Sequence, residues 1–210
     1  AVDRDVSISA SAPIVWGLDV ARFGGDNSAL CVRQGNTVLE IKTFNSMDLM
    51  QLCGAVKNKY DNETMMTKPQ EVLVDVIGLG SGVVDRLAEQ NLPVRGVNVA
   101  EAPSTKKNFL NLRAELWFAI KDWLAQRDCR LPNDDELVAE LAAPIYKYTS
   151  TGKIKLESKE EMKKRGIKSP DRADALALTM ASAAASFSGS QSFMGYNFKK
   201  PLQSRILRVG

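Results

Sequence analysis

Two short apolar runs each carry an aspartate at a place where burial is the rule. The first is Ile14-Val15-Trp16-Gly17-Leu18-Asp19-Val20-Ala21-Arg22, and the second is Val72-Leu73-Val74-Asp75-Val76-Ile77. Runs rich in branched and aromatic residues read as strands, and a continuous one suits a strand covered on both faces. An ionised carboxylate is costly to desolvate there unless something pairs with it. A third stretch, Ser169-Pro170-Asp171-Arg172-Ala173-Asp174-Ala175-Leu176, opens a helix with two more acids, spaced so that they share a helix face. Three separated segments with acids of this kind point to carboxylates that converge on divalent metal ions.

The order of elements gives that convergence a geometry. Strands are expected at about 14–20, 28–33 and 37–43, joined by the turns Phe23-Gly24-Gly25-Asp26-Asn27 and Gln34-Gly35-Asn36, which makes an antiparallel meander. Leu49, Leu52, Val56 and Tyr60 mark one buried stripe of a helix over 47–60. The run 72–77, the turn Gly78-Leu79-Gly80-Ser81-Gly82, a helix over 83–90 and a strand over 93–99 form a β-α-β unit with parallel strands. The longest helix is expected over 109–127, a short one over 134–142 and a β-hairpin over 145–157. A basic linker or short helix, 158–165, precedes the closing helix, which has Ser169 as N-cap, Pro170 in its first turn and runs to about Phe187. If the first and fourth strands are neighbours, Asp19 and Asp75 project side by side, and the last helix brings Asp174 to them.

Composition narrows the chemistry. The chain has no histidine, which excludes Ser-His-Asp and Cys-His catalysis and His-ligated zinc. Clustered carboxylates raise one another's pKa unless cations hold them, and oxygen-only sites favour Mg²⁺ or Mn²⁺. Two such ions, about 3.5–4 Å apart, activate a water and stabilise the leaving oxygen of a phosphodiester. The net charge of +3 is uneven: residues 151–210 hold 12 Lys and Arg against 5 Asp and Glu, which suits a polyanionic partner. Lys106, Lys107, Arg113, Lys163, Lys164, Arg165 and Arg172 are the expected phosphate contacts, while Arg22 and Lys159 are placed to orient a phosphate at the acids. Trp16, Trp117 and Trp123 read as core, and nothing suggests base readout.

The 210 residues allow one domain with a substantial core. We expect a flexible lead over 1–13, a single domain over 14–187 and a basic, loosely ordered tail over 188–210. Three scattered cysteines without a CxxC pair fit reduced thiols in a cytosolic setting. The uncharged stretch 175–198 is too polar to span a bilayer. The chain opens without Met in a polar run, as a piece of something longer would.

The succession Gly17-Leu18-Asp19-Val20-Ala21, Val74-Asp75-Val76-Ile77-Gly78-Leu79-Gly80 and Ser169 to Leu176, with Asn111-Leu112-Arg113-Ala114-Glu115 and Lys159-Glu160-Glu161-Met162-Lys163-Lys164-Arg165, resembles the nuclease domain of the large terminase subunit of tailed bacteriophages. The resemblance covers about residues 13–187. It implies a ribonuclease-H-like α/β fold: a mixed five-stranded sheet, three-strand antiparallel meander plus two parallel strands, flanked by helices, with an added β-hairpin. It also implies a metal-dependent endonuclease that cuts concatemeric double-stranded viral DNA with two Mg²⁺ or Mn²⁺ ions. On that likeness Asp19 bridges both metals, Asp75 and Asp174 are further catalytic ligands, and Asp171 is an additional metal ligand or a helix-start acid. An N-terminal ATPase domain, the small terminase subunit and the portal are the implied partners, in the cytoplasm of an infected bacterial host cell. This stretch carries no GxxxxGK[ST] loop, so the ATPase is not part of it. Three alternatives stay open: a Holliday-junction-resolvase-like nuclease, a non-catalytic packaging or docking module, and an actin/Hsp70-like ATPase. The lack of a second Gly-x-Asp strand unit counts against the last.

Overall fold

β1 (Ile14–Asp19) is buried at every position, the acid included. It sits third in a five-stranded sheet of order β3-β2-β1-β4-β5, completed by β2 (Ser28–Gln34), β3 (Thr37–Phe44), β4 (Glu71–Asp75) and β5 (Val94–Val97). β1, β2 and β3 pair antiparallel, and β1–β4 and β4–β5 pair parallel. This is the mixed ribonuclease-H-like sheet expected from the sequence. The computed structural model from which it is described covers residues 1–2, 4–21, 27–104 and 108–182. The expectations for 188–210, Arg22, Lys106, Lys107 and the turn at Gly24, Gly25 and Asp26 therefore concern residues outside the described ones.

The two-residue period of a strand decides which face each acid takes. Ile14, Trp16 and Leu18 of β1 and Val72 and Val74 of β4 point to one face, where they pack with Leu52 and Val56 of α1 (Leu49–Asn62) and Val83 and Leu87 of α2 (Gly80–Glu89). The alternate positions point to the other. There Leu73 and Val97 pack on Leu178 of α6 (Asp171–Thr179), and Ala29 and Cys31 join a core built from α6 and α3 (Leu112–Ala125). Asp19 and Asp75 share the parity of Gly17 and Leu73, so both face α6. Gly17 lets that helix lie directly on the strand: a Cβ there would stand 2.1 Å from the Ala175 carbonyl oxygen.

Outside the sheet, α4 (Asp135–Ala142) packs on α6, and β6 (Tyr146–Tyr148) pairs antiparallel with β7 (Ile154–Leu156) as the expected hairpin. α5 (Lys159–Lys164) opens on a Ser158–Glu161 capping box, which resolves the choice between linker and helix. Several boundaries differ from the sequence expectation. α3 begins at Leu112, because Asn111 caps it and Phe109 instead bridges to Ile154. β4 stops at Asp75, whose Oδ1 accepts the Ile77 amide as the chain turns through Gly78 at φ 80°. The last helix begins one residue late and ends early, at Thr179, with no side-chain cap from Ser169. Its amino end is held from α4, where the Glu140 carboxylate accepts the Ala173 amide at 2.9 Å.

Candidate metal centre

Asp19 ends β1 and Asp75 ends β4. The parallel register, Leu18 opposite Val74, sets the two acids at the same end of adjacent strands. α6 crosses that end with Asp171 and Asp174 in its first turn, both buried. All four line one cleft of about 320 Å³ together with Lys159 and Arg113. The three segments singled out in the sequence thus meet in one place.

They meet around an ammonium group. Lys159 Nζ lies 2.9 Å from Asp19 Oδ2, 3.3 Å from Asp174 Oδ2 and 3.5 Å from Asp171 Oδ1. Burial disfavours the lysine charge, but the three carboxylates outweigh it and push the pKa above the ordinary lysine value. Asp19 goes the other way: burial, reinforced by Asp174 and Asp171 and only partly offset by Lys159, pushes it up to about 7. Asp75 is also raised, first by burial. Asp174 is lowered in spite of its burial, because Arg113, Lys159 and the Trp117 indole all favour its charged form.

α3 supplies the support for Asp174. Arg113 donates to both carboxylate oxygens, with Nη2 at 3.0 Å from Oδ1, and Trp117 Nε1 donates to Oδ1 at 2.7 Å. The same helix start explains the stretch Asn111-Leu112-Arg113-Ala114-Glu115. Asn111 caps the helix, Arg113 holds Asp174, and the buried Glu115 accepts the Ser104 amide at 2.7 Å. Trp117 is in the core as the sequence suggested, but its polar edge belongs to the site. The signal was its position one helical turn after Arg113.

No protein-family model matches the sequence, and no curated protein matches it. Solved structures do match. The nuclease domain of the large terminase subunit gp2 of bacterial virus Sf6 superposes with a TM-score of 0.71 at 23% identity, over 82% of this chain and 89% of that one. The large terminase nuclease of thermophilic phage G20c with bound magnesium gives 0.62 at 16% identity, over 84% of each chain. The Thermus phage P74-26 large terminase nuclease domain gives 0.62 at 14%, over 88% and 84%. The fold is that of a phage large-terminase nuclease domain. Crystals of the Sf6 domain, as a K428A mutant, hold manganese or calcium, and those of the G20c nuclease hold magnesium or cobalt.

Within this terminase-nuclease fold the donor set suits hard divalent cations: five carboxylates, those of Asp19, Asp75, Asp171, Asp174 and Glu160, and no imidazole or thiolate line the cleft. With all five ionised, Lys159, Arg113 and Lys155 balance three of the charges and leave two negative. As the side chains stand, no group of three Asp, Glu or Cys among the described residues is arranged to hold a metal ion. The reason is visible in the distances above, since the lysine ammonium takes the point on which three of the acids converge. The residues therefore fit divalent ions in charge and in donor type, with Lys159 as the group that has to give way.

The basic residues expected at phosphates divide into two sets. Arg113 is committed to Asp174 and to the Glu157 carbonyl at 2.7 Å. Arg165 makes a two-pronged pair with the buried Glu157 carboxylate, 2.7 and 2.6 Å, and Arg172 pairs with Asp134 and Glu136 of the α4 start. These three guanidiniums have carboxylate partners within the protein. Lys163 and Lys164 are exposed at the end of α5, and Lys155 of β7 lines the acid cleft.

Proposed function

We propose that this chain is the nuclease domain of a phage large terminase subunit, a metal-dependent endonuclease that cuts concatemeric double-stranded DNA by two-metal-ion phosphodiester hydrolysis. The observation that carries this is the convergence of Asp19, Asp171 and Asp174 on one ammonium point, with Asp75 on the same cleft at the end of the neighbouring parallel strand. Asp19, Asp75 and Asp174 would hold the ions, with Asp171 as a further donor. Bound divalent ions supply Lewis-acid activation of water and neutralisation of charge at the leaving oxygen.

The chain's own groups do the rest. Arg113 and Trp117 keep the Asp174 carboxylate in place while DNA enters, and the strand ends fix Asp19 against Asp75. Lys159, about a third exposed at its side chain, is the mobile cation that shares the cleft with the substrate phosphate. Lys163 and Lys164, with Lys106 and Lys107 beyond the described residues, neutralise the DNA backbone. The N-terminal ATPase domain, small subunit and portal of a packaging machine, working in the infected host cytoplasm, are the partners this reading assigns.

Supercoiled plasmid incubated with the chain in Mn²⁺ or Mg²⁺ tests it. The expected result is relaxation and then fragmentation without sequence preference, abolished by chelator and lowered by about a hundredfold or more in Asp19→Asn and Asp174→Asn. Cutting that resists chelator, or survives both substitutions, contradicts it. Preferential cleavage of a four-way junction over linear duplex would favour a resolvase instead.

A further inference from the structure

We propose that Arg113 and Trp117 are positioning residues that commit Oδ1 of Asp174 to the protein and present Oδ2 to the cleft. The inference rests on the reading that these acids hold a divalent cation, and adds the part of the site that aims one of them. Oδ1 accepts three donors: Trp117 Nε1 at 2.7 Å, Arg113 Nη2 at 3.0 Å and Arg113 Nε at 3.2 Å. That fills the acceptor capacity of a carboxylate oxygen. Among the described residues Oδ2 meets Arg113 Nη2 at 3.2 Å and, on the cleft side, the Lys159 ammonium at 3.3 Å. The two oxygens of one carboxylate therefore have different duties.

The clamp is itself anchored. Arg113 and Trp117 lie one turn apart on α3, and the guanidinium stands 5.7 Å from the indole ring centroid. Its remaining arm donates to the Glu157 carbonyl, which ties α3 to the residue between the hairpin and α5. Burial of an indole does not in itself require a partner in this protein. Trp16 and Trp123 are buried more completely, and neither Nε1 has a hydrogen-bond partner among the described residues. The Trp117 bond to Asp174 is thus a feature of the site, and partners of this kind fix ligand orientation and tune affinity.

The three indoles make the test internal. In the ¹⁵N-labelled chain titrated with Mg²⁺ alone, the Trp117 indole resonance is expected to lie apart from those of Trp16 and Trp123 and to move saturably, while theirs stay. Trp117→Phe, which keeps the ring and removes the N–H, should weaken Mn²⁺ binding by about tenfold, and Arg113→Lys by at least as much. Trp16→Phe should leave Mn²⁺ binding unchanged. The remaining indole resonances report whether each variant is folded. Should Trp117→Phe not fold, Trp16→Phe and Trp123→Phe assign the spectrum and the wild-type titration decides. A wild-type chain that binds Mn²⁺ while its Trp117 indole stays unmoved overturns the inference and leaves the metal site standing. So does a folded Trp117→Phe with unchanged Mn²⁺ affinity. A wild-type chain that binds no Mn²⁺ overturns both.

Discussion

Asp19 shows how far a residue of the proposed site departs from what stability alone would select. It is fully buried, its pKa is pushed up to about 7 by desolvation and by two neighbouring acids, and among the described residues its cationic neighbour is Lys159. Ionised and without a metal, it is a strained residue in the electrostatic sense. Replacing it with Asn removes that repulsion and keeps the side-chain size. In chelator at pH 8 we expect Asp19→Asn to unfold at a temperature equal to or above wild type, by up to roughly 2–4 °C, equivalent to about 1 kcal/mol for a chain of this size. On adding Mn²⁺ the wild type should gain several degrees and the variant little, because ligand binding stabilises only the state that binds. Differential scanning fluorimetry reads both. A variant that is less stable than wild type in chelator yet gains as much from Mn²⁺ would remove Asp19 from the site.

α6 is the element on which the site depends, and its amino end is held from α4. Pro170 offers no side-chain cap, and the Glu140 carboxylate takes the Ala173 amide instead. Burial, opposed by the backbone hydrogen bonds and reinforced by the nearby Asp171, lifts Glu140 from its ordinary 4.5 to about 7. A raised carboxyl pKa means that the folded chain holds the proton more tightly than the unfolded one. Its stabilising share is therefore complete below about pH 4.5 and is lost as the pH climbs through about 7. Denaturant unfolding in chelator should show stability falling between pH 5 and 8, and Glu140→Gln, neutral throughout, should make that fall shallower. Equal slopes would show that Glu140 does not titrate in this range. Sequence alone revealed α6 as a helix with paired acids, and it revealed the strand pair through Leu18-Asp19 and Val74-Asp75, because strand and helix periodicity are local. Glu140 was not legible, since a cap supplied from another helix leaves no local signature. For the same reason the pairing of Arg113 with Asp174 was not legible. The arginine's charge is plain in the sequence, whereas its partner Asp174 lies 61 positions away.

At the scale of the molecule, the sheet is covered on both faces along β1 and β4, and the acids emerge where the α6-side cover opens into the cleft. Among the described residues no helix is long and apolar enough to cross a membrane. Lys155 and Lys159, each about a third exposed, line the acid cleft, and Lys163 and Lys164 are exposed at the end of the helix that Lys159 opens. Lys163→Glu with Lys164→Glu should weaken duplex binding and reduce the slope of log affinity against log salt by about 2, with Mn²⁺ binding unchanged. Arg172→Gln should instead lower thermal stability with little change in that slope. The most direct measurement is anomalous diffraction at the manganese edge from crystals soaked in Mn²⁺. The expected result is one or two peaks within coordination distance of Asp19, with Asp75 and Asp174 as further ligands and the Lys159 ammonium displaced from its present place. A soaked crystal with Lys159 still seated among the three carboxylates and no manganese at Asp19 would contradict the assignment of this cleft as a metal-dependent nuclease site.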